Sequence, residues 1–295
     1  MITKSKSFKA FVYIVLTLLS LACVLPILLV VMASVTDEQT LIVNGYSFLP
    51  KKFSIYAYQY IFSAGNTILR AYGITFLVTA VGTTVNVLLT VLLAYPLSRK
   101  TLKGRNAISF LIFFTLLFNG GLVPSYMMWT QMFHIRDSIL ALLVPNLLLS
   151  PFYVIMMRNF FGSNIPDSLV EAAQLDGASE VRTLFSVVLP LSKPIIATVA
   201  MMAGLAYWND WTNGLYYLLR RTDLYGIQSV LNTMLNNVKF LSSQAATQGA
   251  GTIGALPSTG IRMAIAVIAI IPVLIIYPFV QKWFIKGIVV GGVKG

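Results

Sequence analysis

The chain has 295 residues, of which 57% are hydrophobic and only 10% charged, with a formal net charge of +12 at pH 7 and a mean hydropathy of +0.81. So few charges cannot cover so much apolar surface in water, which excludes a soluble globular fold and makes the bilayer the solvent. The single cysteine, Cys23, excludes an internal disulfide and a thiol pair for zinc.

A helix rising 1.5 Å per residue needs about 20 apolar residues to cross the hydrocarbon core. Residues 10–36 carry no charge and predict the first span. Leu21-Ala22-Cys23 has the form of a lipoprotein cleavage site, but the apolar sequence continues through 26–36, as a membrane helix does. Residues 71–98 predict the second span, 106–135 (with His134 alone) the third, and 138–157 the fourth. Residues 194–209 are shorter and reach across if Lys193 snorkels to the interface; residues 263–281 predict the last. The expectation is an all-α integral membrane protein of about six spans.

An even number of spans puts both termini on one side, and the positive-inside bias assigns that side to the cytoplasm. Inner segments then hold Lys4, Lys6, Lys9, Arg99, Lys100, Lys103, Arg105, Arg158, Arg182, Lys193, Lys282, Lys286 and Lys294, with the short 99–105 loop the clearest indicator. Much of the basic surplus therefore faces anionic lipid, not nucleic acid. Two long outer segments follow, 35–69 and 210–261. Asn44-Gly45 and Gly65-Asn66 read as turns in the first. In the second, 241–260 is rich in Ser, Thr, Gln, Gly and Ala and reads as a weakly ordered loop.

The inner segment between spans four and five, RNFFGSNIPDSLVEAAQLDGASEVRTLFSVVLPLSKP, predicts an elbow. Pro166 suits a first helical turn. Asp167 and Glu171 lie four apart on one face near the positive end of the helix dipole. Leu169 and Ala173 share a spacing too, and small Ala172 and Ala173 permit close approach of another surface. Gly177 can take the left-handed geometry that ends the helix. A second short helix from about 178 to 188 then leads to Leu189-Pro190. Surface helices resting on anionic lipid usually present Lys and Arg, so an acidic elbow reads better as a knob for a partner protein than as a lipid-bound connector.

Glu171-Ala172-Ala173, Asp176-Gly177 and Leu189-Pro190 with Pro194 resemble the EAA loop of binding-protein-dependent ABC transporter permeases. FNGGLVPSYMM at 118–128, PFYVIMMRNFF at 151–161 and YWNDW at 207–211 are similar to the carbohydrate-uptake branch, and within it to permeases for complex oligosaccharides of the alginate and lipo-oligosaccharide type. The resemblance runs from about Tyr72 onward. It implies residues 1–70 as a first helix and outer loop, 71–285 as a permease core, and 286–295 as a cytoplasmic tail. It further implies that Glu171 makes a polar contact to a cytoplasmic ATPase, that Ala172 and Ala173 pack closely, that Asp176-Gly177 form the bend, and that Leu189 and Pro190 mark the return to the bilayer. Implied partners are two ATP-binding subunits, a second homologous permease and an extracytoplasmic sugar-binding protein. ATP and Mg would belong to the ATPase, since this chain has no G-x-x-x-x-G-K-[ST] loop and no cofactor of its own.

Candidates for a sugar path are the intramembrane amides Asn86, Asn119 and Asn146, with Asn209 and Asp210 at the end of the fifth span. Aromatic faces come from Tyr126, Trp129, Tyr207, Trp208 and Trp211. Each Asn can equally serve an interhelical hydrogen bond, and each Trp or Tyr an interfacial belt. Importers of the same architecture for polar amino acids or phosphate stay open. An ion-coupled carrier would show buried mid-membrane charges or inverted repeats, and an intramembrane enzyme would show a nucleophile or clustered carboxylates. The sequence shows none of these, and lone His134 is assigned no chemistry.

Overall fold

The computed structural model describes residues 6–63, 65–247 and 258–292. Inside lipid no water can pair backbone N–H and C=O groups, so uncharged apolar runs close their hydrogen bonds within helices. Apart from one isolated bridge between Thr36 and Phe53, no strand occurs among the described residues. The chain divides into two units, one from residues 1–68 and 231–274, the other from 69–230 and 275–295.

The first unit holds α1 (Lys6–Ser34), α2 (Glu38–Asn44) and α3 (Tyr56–Phe62), with parts of α14 (Ile227–Thr247) and α15 (Ser258–Gly292). Phe8–Ser34 is apolar enough to cross a membrane, and none of its most hydrophobic stretch is buried by protein. Gly45, at φ +72°, ends α2, its N–H donating to the Leu41 carbonyl at 3.1 Å. The loop between α2 and α3 is pinned where the Asp37 N–H donates to the Lys52 carbonyl, 3.0 Å, and the Ser54 N–H to Val35, 2.9 Å. The Glu38 carboxylate accepts from the N–H groups of Thr259 and Gly260, at 2.9 and 2.8 Å. It thereby caps the start of α15, whose first donors have no partner within the helix. Residues 241–247 are helical and 258–260 open α15, contrary to the loop expected over 241–260; residues 248–257 lie outside the described residues.

The second unit is organised around α4 (Asn66–Ser98), the other helix that is long and apolar enough to cross alone. The expected third span is bent, whereas the expected fifth, 194–209, lies within one helix that a bend precedes. α5 (Arg105–Leu117) meets the helix 122–132 at 111°, across Phe118 to Gly121, where Gly121 takes φ +88°. Within 122–132, α6 (Leu122–Met127) passes into a π-helical turn, Met128–Met132. α12 (Lys193–Asn209) meets the preceding helical segment at 84°.

The expected fourth span, 138–157, is not one helix. It splits into α7 (Leu140–Leu143) and α8 (Pro151–Asn164), separated by irregular chain in which Asn146 sits at φ +61°. Pro145 and Pro151 flank the split: each lacks an N–H to donate, and Ser150 is extended, as a residue before proline prefers, while Val144 before Pro145 keeps helical angles. The broken stretch leaves carbonyls without helical donors, and three side chains from elsewhere supply them. Tyr207 Oη donates to Leu143 at 2.8 Å, Asn213 Nδ2 to Pro145 at 3.0 Å and Asn86 Nδ2 to Leu147 at 2.7 Å. All three donors are buried, Asn86 completely. Asn213 belongs to α13 (Thr212–Tyr217). Tyr207 also needs Gly82 opposite it, because any Cβ there would collide with the ring.

Beyond α13, Asp137 Oδ1 accepts from the N–H groups of Leu219, Arg220 and Arg221 at 2.8, 2.8 and 3.2 Å. The hydrogen bond from Arg220 leads the effects that hold its carboxyl below the usual carboxylate range.

Two outcomes follow from these contacts. Asn86→Leu strands the Leu147 carbonyl and should cost about 1–3 kcal/mol, read as a lower thermal midpoint of the detergent-purified protein. Glu38→Ala should cost about 1 kcal/mol, as loss of an N-cap does, with faster amide exchange confined to the first turn of α15.

Candidate functional site

The elbow begins where α8 stops. Ile165 is extended, as a residue before proline prefers, and Pro166 is the N-cap of α9 (Asp167–Leu175), one position ahead of the expected first turn. Val170 is the buried side of α9; Glu171, Ala172 and Leu175 are exposed, and Ala173 is half-buried. The two expected surface carboxylates differ. Lys100 Nζ lies 3.0 Å from Asp167 and Arg99 3.8 Å, and Lys100 holds the Asp167 carboxyl below the usual carboxylate range. Glu171 has no hydrogen bond or ion pair among the described residues.

α9 ends in a paired-hydrogen-bond cap. Ala178 N–H donates to Ala173 at 2.9 Å and Gly177 N–H to Gln174 at 3.0 Å, with Gly177 at φ +80°. Asp176 is the last residue before that turn. The second helix starts later than expected, at α10 (Glu180–Thr183), because Ser179 is extended and serves as its N-cap, accepting from the Arg182 N–H. A π-helical turn, Leu184–Val188, and α11 (Leu189–Leu191) complete the segment. Leu189 and Pro190 thus lie in a last helical turn, and the bend into α12 falls at Ser192.

Val170, Leu184 and Val188 pack in one apolar cluster with Val91, Ala94 and Leu97 of α4 and Val154, Met157 and Phe161 of α8. Polar contacts add direction to this packing. Arg158 Nε donates to the Leu97 carbonyl, 3.1 Å, at the end of α4. Tyr95 Oη donates to Glu180 Oε2, 2.6 Å, and Gln174 Nε2 to Glu180 Oε1, 2.7 Å. Glu180 and Tyr95 were not singled out from the sequence. Nothing in linear spacing pairs residues 85 apart.

The candidates for a sugar path are not gathered into one site. Asn86 and Tyr207 serve the broken backbone. Tyr126 stacks on Tyr217 with ring centroids 5.9 Å apart, and Trp129 lies against Phe133 at 5.1 Å. Asp210 caps α13, accepting from Thr212 Oγ1 and N–H and the Asn213 N–H. Asn119 closes its own turn by accepting from the Gly121 N–H, and Asn209 donates back to Leu205. Asn146, Asn209, Asn119 and Trp211 are exposed, as is His134. Trp208 is buried, edge-on to Phe76 at 5.2 Å, and its indole N–H has no partner among the described residues; the same holds for the Thr79 and Thr83 hydroxyls on α4.

Residues 2–290 match the family described as "Binding-protein-dependent transport system inner membrane component". The chain is 38% identical over 273 residues to Protein LplC of Bacillus subtilis, covering 92% of this chain and 90% of that one. It is 37% identical over 292 residues to the polygalacturonan/rhamnogalacturonan transport system permease protein YtcP of the same organism, covering 99% and 100%. Its fold is similar to a chain of a bacterial ABC transporter involved in the import of the acidic polysaccharide alginate, with a TM-score of 0.78 and 26% identity, covering 96% of this chain and all of the other. The chain therefore belongs to the family of inner membrane components of binding-protein-dependent transport systems.

Proposed function

We propose that this chain is the permease subunit of a carbohydrate importer and that its elbow couples transport to a separate ATPase. The carrying observation is the two-sided elbow. Val170 and Leu184 anchor one side, while Glu171, without a hydrogen-bond or ion-pair partner among the described residues, and exposed Ala172 and Leu175 form the other. An exposed acidic and small-residue face, anchored from behind by apolar packing, is what a docking knob requires. The carbohydrate assignment follows the transport roles of the similar proteins, for polygalacturonan or rhamnogalacturonan and for alginate.

In this reading six spans place both termini and the elbow in the cytoplasm, in keeping with the basic residues flanking α4 and α5. A second, related permease completes the pore, two ATP-binding subunits sit beneath it, and a sugar-binding protein delivers substrate outside. Residues 1–70 supply the first span and outer loop, 71–285 the core and 286–295 the tail. The polar and aromatic groups near the end of α12, among them Asn209, Trp211 and the unpartnered Trp208 indole, are the places for sugar hydroxyls and ring faces to meet the chain.

Glu171→Lys and Gly177→Leu should each lower ATP-driven uptake of oligogalacturonides into cells or vesicles by about tenfold or more, while membrane insertion stays at the parental level. The leucine must adopt a φ that only glycine tolerates well, and the lysine reverses the exposed charge. Full uptake by both variants would remove the coupling role.

A further inference from the structure

Glycine at the elbow creates a mechanical difficulty. Gly177 gives the bend its geometry, yet it is also the residue whose backbone resists deformation least. Apolar packing behind the elbow is non-directional and permits sliding. A push on α9 would be absorbed at Gly177 unless something braces the angle. The structure contains such a brace. The Glu180 carboxylate stands across the bend, with one oxygen taking the Gln174 amide from the α9 side at 2.7 Å and the other taking the Tyr95 hydroxyl from α4 at 2.6 Å. The Tyr95 bond is part-buried and the Gln174 bond lies at the surface, so the two tie a fixed point on α4 to the outer edge of the bend. Tyr95 is itself buried, and the Arg99 guanidinium lies 5.6 Å from its ring centroid, so its hydroxyl is presented from a fixed position.

Beside the brace lies an open groove of about 400 Å³, lined by Leu92, Pro96, Arg99, Thr101 and Val181 among others. The segment carrying Glu180 is therefore not wedged in place by packing on that side. The remaining polar tie, Asp167 with Lys100 and Arg99, is solvent-exposed at the opposite end of α9, where ion pairs contribute little. Its other end makes α4 a suitable rod. Farther along it, Asn86 holds the broken segment, Gly82 faces Tyr207, and Thr75 Oγ1 accepts from the Ile227 N–H at 2.8 Å.

We infer that Tyr95, Glu180 and Gln174 form a positioning clasp that locks the elbow's angle and makes α9, α10 and the end of α4 move as one body when the ATPase acts on the elbow. This rests on the docking role proposed above. Glu180 and Tyr95 touch no substrate; they act by keeping the elbow stiff.

The test uses the complete transporter, purified with its ATPase and reconstituted in lipid, in a Cys23→Ser background. Spin labels on Leu93→Cys in α4 and Arg182→Cys in α10, both exposed positions, report the distance across the clasp by pulsed dipolar spectroscopy, without nucleotide and after trapping with ATP and vanadate. The clasp predicts one distance distribution, unchanged by trapping. Tyr95→Phe, which removes a single oxygen, and Glu180→Ala should each lose that constancy, giving broadened distributions that differ between the two states. Glu180→Gln should restore it, since its amide oxygen still accepts from Tyr95 and a flipped Gln174 amide can meet its NH₂. The Tyr95→Phe/Glu180→Ala pair should be no worse than Glu180→Ala alone, which already removes both bonds. A trapping-dependent distance in the parent, or an unchanged one in both Tyr95→Phe and Glu180→Ala, overturns the clasp. Co-purification of the ATPase, lost on Glu171→Lys, reads the docking role separately, so either idea can fail without the other.

Discussion

The second unit depends on a debt of hydrogen bonds. Two prolines interrupt the chain between α7 and α8, and in lipid an interrupted helix cannot leave its carbonyls to water. Leu143, Pro145 and Leu147 each receive a side-chain donor, from α12, α13 and α4 in turn. That arrangement fixes where these helices must stand with respect to the broken segment. Alternate carbonyls are served by three different helices, so the break knits the unit together. The close contact of Gly82 with the Tyr207 ring follows from it, because the hydroxyl reaches Leu143 only if α4 yields the space.

Seen this way, buried amides in the membrane have two meanings that sequence alone does not separate. Asn86 and Tyr207 were candidates to meet sugar, and both turn out to hold backbone. Asn213, which carries the third bond, was not noticed at all, since it follows the fifth span in a stretch without periodicity. The cue was present but indirect. Pro145 and Pro151 announced orphan carbonyls, and the search for their donors requires three-dimensional neighbours 61 to 68 residues away. By contrast, Gly45 and Gly177 are legible from the sequence, because a left-handed φ is a local demand that glycine meets locally.

The elbow shows the same division. Its helices, its glycine bend and its exposed Glu171 follow from short-range rules of capping and spacing. The shift of its second helix from 178 to 180 is also local, since extended Ser179 is the residue whose side chain caps it. What could not be read was its attachment: Asp167 is paired with Lys100 and Glu180 with Tyr95, so two of the elbow's acidic groups are engaged within the chain and only part of its charge is left for another surface. The expected fourth span failed for the opposite reason. A long apolar run satisfies the hydropathy criterion whether or not it is one helix, and prolines decide which.

The Glu38 cap on α15 bears on how the chain is made. It joins residues 221 and 222 positions apart, and the unit it closes takes its parts from both ends of the polypeptide. During synthesis α1, α2 and α3 emerge first and wait, with the carboxylate unsatisfied by its eventual donors, until residue 260 has left the ribosome. Within this unit the part translated first is thus among the last to be finished, and a chain cut short before α15 leaves α2 without the donors that Glu38 meets.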